Sequence, residues 1–124
     1  MLNQLQKMAG ATAILATLFL SQHALAHAHL ASAEPADQAT ISASPTTLTL
    51  TFTEEVEPSF SGVKMVNAEG KEIATGKTVV DSTDKKVLHI PLSTPLVADA
   101  YQVDWHVLSV DGHKTKGSYR FTLK

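Results

Sequence analysis

The segment Thr46–Thr53 reads TTLTLTFT, and its apolar residues Leu48, Leu50 and Phe52 alternate strictly with threonine. Successive side chains of a β-strand point to opposite faces, so this pattern predicts a strand with one buried face. The segment Ala100–Ser109 repeats the alternation, with an aromatic or β-branched residue at every second position from Tyr101 to Val107. A period of two therefore dominates the chain.

Shorter apolar runs predict the remaining strands. They lie at Leu30–Ala33, Val63–Val66, Thr78–Val80, Lys86–Pro91 and Ser118–Leu123. Turn-rich sequences such as Asn67–Gly70 and Asp81–Asp84 separate them, and no segment carries a long helical stripe. The sequence thus predicts an all-β fold, a small antiparallel β-sandwich or closed barrel of about seven strands.

The amino-acid composition limits the functions that this protein can have. The chain has 124 residues, enough for one domain, with ten basic and twelve acidic residues. This balance gives no basic surface for nucleic acid. The absence of cysteine excludes disulfides, thiolate metal sites and cysteine nucleophiles. Any chemistry must come from the six histidines, the carboxylates and the backbone.

Residues 1–26 have the three parts of a cleaved secretory signal peptide. One lysine precedes an apolar run over residues 9–20, and a small-x-small ending follows. The run is shorter than the roughly 20 residues of a membrane-spanning helix. Cleavage after Ala26 leaves His27 as the first residue, whereas a second small-x-small motif would leave His29. We favour the first site, because leucine between the small residues is tolerated better than histidine, and expect no membrane span after cleavage.

The mature domain then covers residues 27–124 and begins with His27-Ala-His29. A histidine at a free N-terminus offers both an α-amine and an imidazole, which can close a chelate ring on one metal ion. In an extended segment, residues i and i+2 share a face, so we expect the imidazole of His29 to point to the same spot. Asp111 and His113, separated by one glycine in the predicted turn between the last two strands, add a carboxylate and an imidazole.

Together these groups form a nitrogen-rich set with one carboxylate and no sulfur. Such a set suits tetragonal Cu(II), which heads the affinity order of the first-row divalent ions, and Zn(II) gains nothing from a planar arrangement. A second binding mode stays open, in which the free terminus alone binds Cu(II) through its amine, two backbone amides and His29. That mode needs neither Asp111 nor His113.

Two motifs are specific in combination: His27-Ala-His29 at the mature terminus and W-x-x-x-S-x-D-x-H from Trp105 to His113. With them, the chain resembles the CopC family of bacterial periplasmic copper-binding proteins over essentially its whole mature length. The resemblance implies a Greek-key β-barrel or sandwich of cupredoxin or immunoglobulin-like appearance. It also implies a Cu(II) site formed by His27, Asp111 and His113, with His29 as a further ligand.

The resemblance further implies a location in the periplasm of a Gram-negative bacterium and a function in copper homeostasis or resistance. An inner-membrane CopD-type copper transporter is the implied partner. Some family members hold Cu(I) in a methionine-rich loop, but Met65 is the only methionine in residues 27–124. We therefore expect one Cu(II) per chain, no Cu(I) site, no catalytic residues and a monomeric carrier or scavenger.

Two alternatives of other classes remain at this point. A histidine-brace copper monooxygenase also binds copper through an N-terminal histidine, but one tryptophan and two tyrosines hardly provide a flat sugar-binding surface. A metal-free β-sandwich interaction module would bind no Cu(II). His89 and His106 are expected on strand faces without a role in metal binding.

Overall fold

The computed structural model of this protein describes residues 27–124, so the predicted signal peptide over residues 1–26 lies outside the described residues. The described part contains nine β-strands and one 3-10 turn. The strands are β1 Leu30–Glu34, β2 Thr40–Ile41, β3 Thr47–Phe52, β4 Gly62–Asn67, β5 Glu72–Ile73, β6 Val79–Val80, β7 Val87–Pro91, β8 Asp99–Leu108 and β9 Lys114–Leu123; the 3-10 turn is Pro58–Phe60. Residues 27–124 contain no helix with the length and apolar character needed to cross a membrane.

The strands form two sheets. One has the order β1-β3-β7-β6 and the other the order β2-β9-β8-β4-β5. All neighbours are antiparallel except β2, which runs parallel to the end of β9. The all-β prediction is confirmed, and of its two forms the structure has the sandwich. Nine strands replace the predicted seven, because β2 and β5, with two residues each, were not expected.

The alternating residues build the core between the sheets. Leu48, Leu50 and Phe52 of β3 are almost completely buried, and so are the alternate residues of β8 from Tyr101 to Val107. The rings of Phe52 and Trp105 meet edge to face, with centroids 5.2 Å apart. This contact joins the two sheets through two side chains that the alternating pattern predicts to be buried.

The β8–β9 hairpin is longer than its sequence suggested. β9 begins at Lys114, four residues before the predicted start at Ser118. Gly117 lies opposite Trp105 in the ladder, and a Cβ on Gly117 would come within 2.5 Å of Cζ2 of Trp105. The indole of Trp105 thus fills the space that a side chain at position 117 would take. β9 therefore has a glycine where an apolar residue would have continued the alternating pattern. The hairpin turn is correspondingly short and includes Asp111.

Candidate metal centre

The turn between β8 and β9 is organised around the buried Ser109. Its backbone N–H donates to the carbonyl of His113 at 2.9 Å, and its carbonyl accepts from the N–H of Gly112 at 2.9 Å. Gly112 has a φ of 92°, a left-handed conformation that glycine adopts without strain from a Cβ. The hydroxyl of Ser109 donates to Oδ1 of Asp111 and lies 3.3 Å from the N–H of His113. One hydroxyl therefore holds both chemically active residues of the turn.

Asp111 and His113 form a hydrogen-bonded pair, with Oδ1 of the carboxylate 3.0 Å from Nδ1 of the imidazole. The hydroxyl of Ser109, followed by the imidazole of His113, lowers the pKa of Asp111 from 3.8 to about 2. An ionised carboxylate only accepts hydrogen bonds, so Nδ1 of His113 is the donor. In the neutral ring this leaves the lone pair on Nε2 for a metal ion, as in carboxylate–histidine–metal arrangements.

The imidazole of His27 lies against that of His113. The ring centroids are 4.4 Å apart and the planes meet at 65°. Nδ1 of His27 is buried and has no hydrogen-bond partner among residues 27–124. Because buried polar atoms are nearly always paired, this nitrogen is suited to a ligand that is not part of the chain. It is also the ring nitrogen from which a chelate with the α-amine of a terminal histidine can close.

Two threonines fasten the N-terminal segment to both sheets. The hydroxyl of Thr115, in β9, donates to the carbonyl of Ala28 at 2.7 Å. The hydroxyl of Thr53, just after β3, accepts from the N–H of His29 at 2.9 Å and lies 3.4 Å from the carbonyl of His27. Ala28 itself is fully buried in the core. The segment that carries the predicted ligands is thus anchored rather than loosely attached.

The structure does not bring the four sequence-predicted ligands together equally. His27 meets His113, and His113 meets Asp111. The exposed imidazole of His29 makes no hydrogen bond or ring contact with these three residues. As positioned, no group of three or more His, Asp or Glu residues within 27–124 is arranged to hold a metal ion. The α-amine of His27, which exists only after cleavage, would add a nitrogen that these side chains do not supply.

Three positioning residues were not assigned a role from the sequence. Ser109 stood in the W-x-x-x-S-x-D-x-H motif, so its spacing from Asp111 gave a signal. Thr53 and Thr115 gave none, because a hydroxyl that bonds a distant main-chain group leaves no pattern in the sequence. Their contribution follows only from the tertiary structure.

The two histidines expected on strand faces lie there. Nε2 of His89 donates to Oδ1 of Asp81 at 2.7 Å, and its Nδ1 lies 3.2 Å from the hydroxyl of Thr49. Both ring nitrogens of His89 therefore have partners within the fold. His106 is exposed on the outer face of the five-stranded sheet.

Comparison with known proteins supports the resemblance seen in the sequence. The profile of the CopC domain matches residues 30–124. Protein YobA of Escherichia coli (strain K12) is 45% identical over 114 residues, which cover 92% of each chain. Copper resistance protein C of Xanthomonas campestris pv. juglandis is 36% identical over 116 residues, covering 90% of this chain and 91% of that protein. The crystal structure of PcoC, a methionine-rich copper resistance protein from Escherichia coli, matches with a TM-score of 0.72 and 32% identity, covering 80% of this chain and 100% of PcoC.

Proposed function

The chain belongs to the CopC family, and we propose that its mature form is a periplasmic protein that binds one Cu(II) ion and carries or scavenges it in copper homeostasis and resistance. The observation that carries this proposal is the buried, unpartnered Nδ1 of His27 beside the ring of His113. Export and cleavage after Ala26 would place an α-amine next to that nitrogen. Two nitrogens of one residue and a neighbouring imidazole then form a strong Cu(II) donor set.

Each proposed ligand has a defined donor atom. The α-amine and Nδ1 of His27 form the chelate, and Nε2 of His113 supplies the third nitrogen. Oδ1 of Asp111 orients His113 by accepting the hydrogen bond from its Nδ1. To bind a metal on Nε2 directly, the carboxylate would have to release Nδ1, because the two ring nitrogens point to opposite sides of the imidazole. His29 is a further ligand that requires its exposed imidazole to turn toward the site.

The proposed oxidation state follows from the donor types. Cu(I) prefers soft thioether and thiolate ligands, whereas imidazole, amine and carboxylate suit Cu(II). Met65, the only methionine in residues 27–124, is completely buried in the core and faces no solvent. A thioether cluster of the kind that a methionine-rich loop provides therefore has no counterpart in this part of the chain.

We propose that the protein transports copper and does not catalyse a reaction. Several matched relatives are named copper resistance proteins, and one is named a copper transport protein. A donor set with amine, two imidazoles and carboxylate leaves little of the copper coordination sphere for oxygen. We propose that the mature monomer exchanges its copper with an inner-membrane CopD-type transporter.

The test is a Cu(II) titration of the exported protein, with its N-terminus established by mass spectrometry. We expect one Cu(II) per chain, quenching of the fluorescence of Trp105, the single tryptophan, and an EPR spectrum dominated by nitrogen ligands. His113→Ala should remove one nitrogen coupling, and Asp111→Ala should shift the spectrum. His106→Ala, which removes an exposed imidazole elsewhere, is the matched control.

The same variants separate the two copper-binding modes. If His113→Ala and Asp111→Ala both leave the spectrum of the wild-type complex unchanged, copper is bound by the terminal peptide through its amine, backbone amides and His29. In that case His29→Ala alone should abolish the spectrum. A protein that takes up no Cu(II) at all would contradict the proposed function.

A further inference from the structure

An apolar groove lies on the outer face of the five-stranded sheet, next to the β8–β9 turn. It has a volume of about 480 Å³ and is lined by Phe60, His106, Val107, Lys114, Thr115 and Lys116. Gly62 lies opposite His106 in the β4–β8 ladder, and a Cβ on Gly62 would lie 3.3 Å from Cε1 of that ring. The missing side chain of Gly62 therefore leaves room for the imidazole of His106 beside β4.

Phe60 stands at the edge of this groove on a rigid support. Its side chain is 67% exposed, but its backbone N–H donates to the carbonyl of Glu57 at 3.2 Å. The hydroxyl of the next residue, Ser61, donates to the same carbonyl at 2.7 Å and accepts from the N–H of Leu108 at 3.1 Å. The 3-10 turn is thereby fastened to β8. An exposed aromatic ring on a fixed backbone is a feature of protein contact surfaces, where such rings act as anchors.

Two lysines give the groove a positive charge. Lys114 and Lys116 are two residues apart in β9, opposite Leu108 and His106, and therefore share the outer face. No carboxylate oxygen within residues 27–124 lies within 4.0 Å of either ammonium group. The mature chain as a whole is acidic, with nine basic and twelve acidic residues. A local positive surface on an acidic protein favours a partner of opposite charge.

The groove and the candidate metal centre adjoin at the start of β9 and have Thr115 in common. Lys114 directly follows His113, and Thr115 lines the groove while its hydroxyl holds the carbonyl of Ala28. We propose that the groove docks the protein that exchanges copper with this one, through a segment in which an apolar side chain is flanked by carboxylates. This inference rests on the proposed function, because it assigns the groove to the partner in copper exchange.

The test uses the copper-free exported protein labelled with nitrogen-15 and a synthetic acidic peptide, acetyl-Asp-Glu-Phe-Glu-Asp-amide. We expect peptide-dependent shifts of the backbone amides of residues 106–108 and 114–116. Rising salt from about 0.05 to 0.5 M should weaken the binding, since exposed charges are then screened. Peptides with glycine in place of phenylalanine, or lysine in place of the acidic residues, should bind more weakly.

Phe60→Ala and Lys116→Glu should each weaken peptide binding about tenfold, as expected for loss of an anchor or reversal of a contacting charge. Lys85→Glu, a charge reversal outside the groove, should have no effect. Both groove variants should keep the Cu(II) stoichiometry and EPR spectrum of the wild type, so failure of copper binding and failure of docking are seen separately. Absence of shifts at millimolar peptide, or equal binding by Lys116→Glu and wild type, would overturn the proposal.

Discussion

The hydroxyl of Ser109 is buried between the carboxylate of Asp111 and the backbone of His113. No other side chain in residues 27–124 donates a hydrogen bond to that carboxylate except His113 itself. Without the hydroxyl, the carboxylate is held by His113 alone, and the turn loses one of its hydrogen-bond donors. The orientation of Nε2 of His113 therefore depends on a residue that does not bind metal.

Ser109→Ala should lower Cu(II) affinity about tenfold or more, since residues that hydrogen-bond to metal ligands have effects of that size. It should also lower the free energy of unfolding by about 1–3 kcal/mol, because the hydrogen bonds of the buried hydroxyl to Asp111 and to the backbone of His113 are lost. Calorimetric titration and urea unfolding measure the two effects. Ser118→Ala, which removes a hydroxyl bonded to Asp104 on the exposed face, is the control. Equal copper affinity in the two variants would rule out the positioning role.

At the same scale, the sequence singled out the proposed metal ligands but not the residues that hold them in place. His27, Asp111 and His113 stand out because their side chains bind metals and their spacing is specific. Thr53 and Thr115 act on main-chain groups of the N-terminal segment that are distant in sequence. Nothing in a single sequence indicates which hydroxyl meets which carbonyl, so these two residues required the tertiary structure.

Among the elements, the β8–β9 hairpin shows why the sequence predicted that a strand is present more accurately than where it begins. The buried alternation of β8 was read correctly, but the first half of β9 has lysines on its outer face and Gly117 under the ring of Trp105. Neither feature produces apolar alternation. β2 and β5 were missed for a different reason, since two residues are too few to show a period.

Gly117→Ala tests the close packing of this hairpin. The new methyl group would overlap the indole of Trp105, so we expect a loss of about 1–3 kcal/mol in the free energy of unfolding. Trp105→Phe removes the atoms that the methyl group would meet, and in that background the alanine should cost much less. Chemical unfolding of the four proteins measures the coupling. An equal cost of the alanine in both backgrounds would contradict the packing described.

Asp81, in the turn between β6 and β7, accepts a hydrogen bond from His89 in β7, and this carboxylate gives the fold a pH dependence. The hydrogen bond from His89, followed by the hydroxyl and backbone N–H of Thr83, holds the pKa of Asp81 well below its ordinary value of 3.8. A carboxyl group with a lowered pKa in the folded state stabilises the fold above its unfolded-state pKa. That contribution is lost as the pH falls toward the folded-state pKa.

Asp81→Asn should therefore destabilise the protein at neutral pH, and the difference from wild type should shrink as the pH falls below about 4, near the ordinary carboxyl pKa. Urea unfolding of both proteins between neutral and acidic pH measures this difference. Glu69→Gln, a change in the exposed turn between β4 and β5, serves as the control. A difference that stays constant over the acidic range would show that the pair does not contribute through its charge.

At the scale of the whole molecule, the N-terminal segment is bonded to both sheets. β1 pairs with β3 in the four-stranded sheet, while Thr115 ties the residues before β1 to the five-stranded sheet. Ala28 closes the core at this end, and the histidines on either side of it lie near the surface. The fold thus brings His27, the proposed mature terminus, to the β8–β9 turn, 84 residues away in sequence at Asp111. We propose that this terminus supplies the copper chelate.

The most direct test compares the Cu(II) dissociation constants of two proteins, one that begins at His27 and one with a single methionine added before it. The added residue removes the free amine of His27 but leaves the buried Ala28 and its hydrogen bond to Thr115 unchanged, so both copper-free proteins should unfold at the same temperature. Loss of the chelate should weaken binding about a hundredfold, since the second donor no longer benefits from a high effective concentration. Equal dissociation constants in two equally stable proteins would contradict the account.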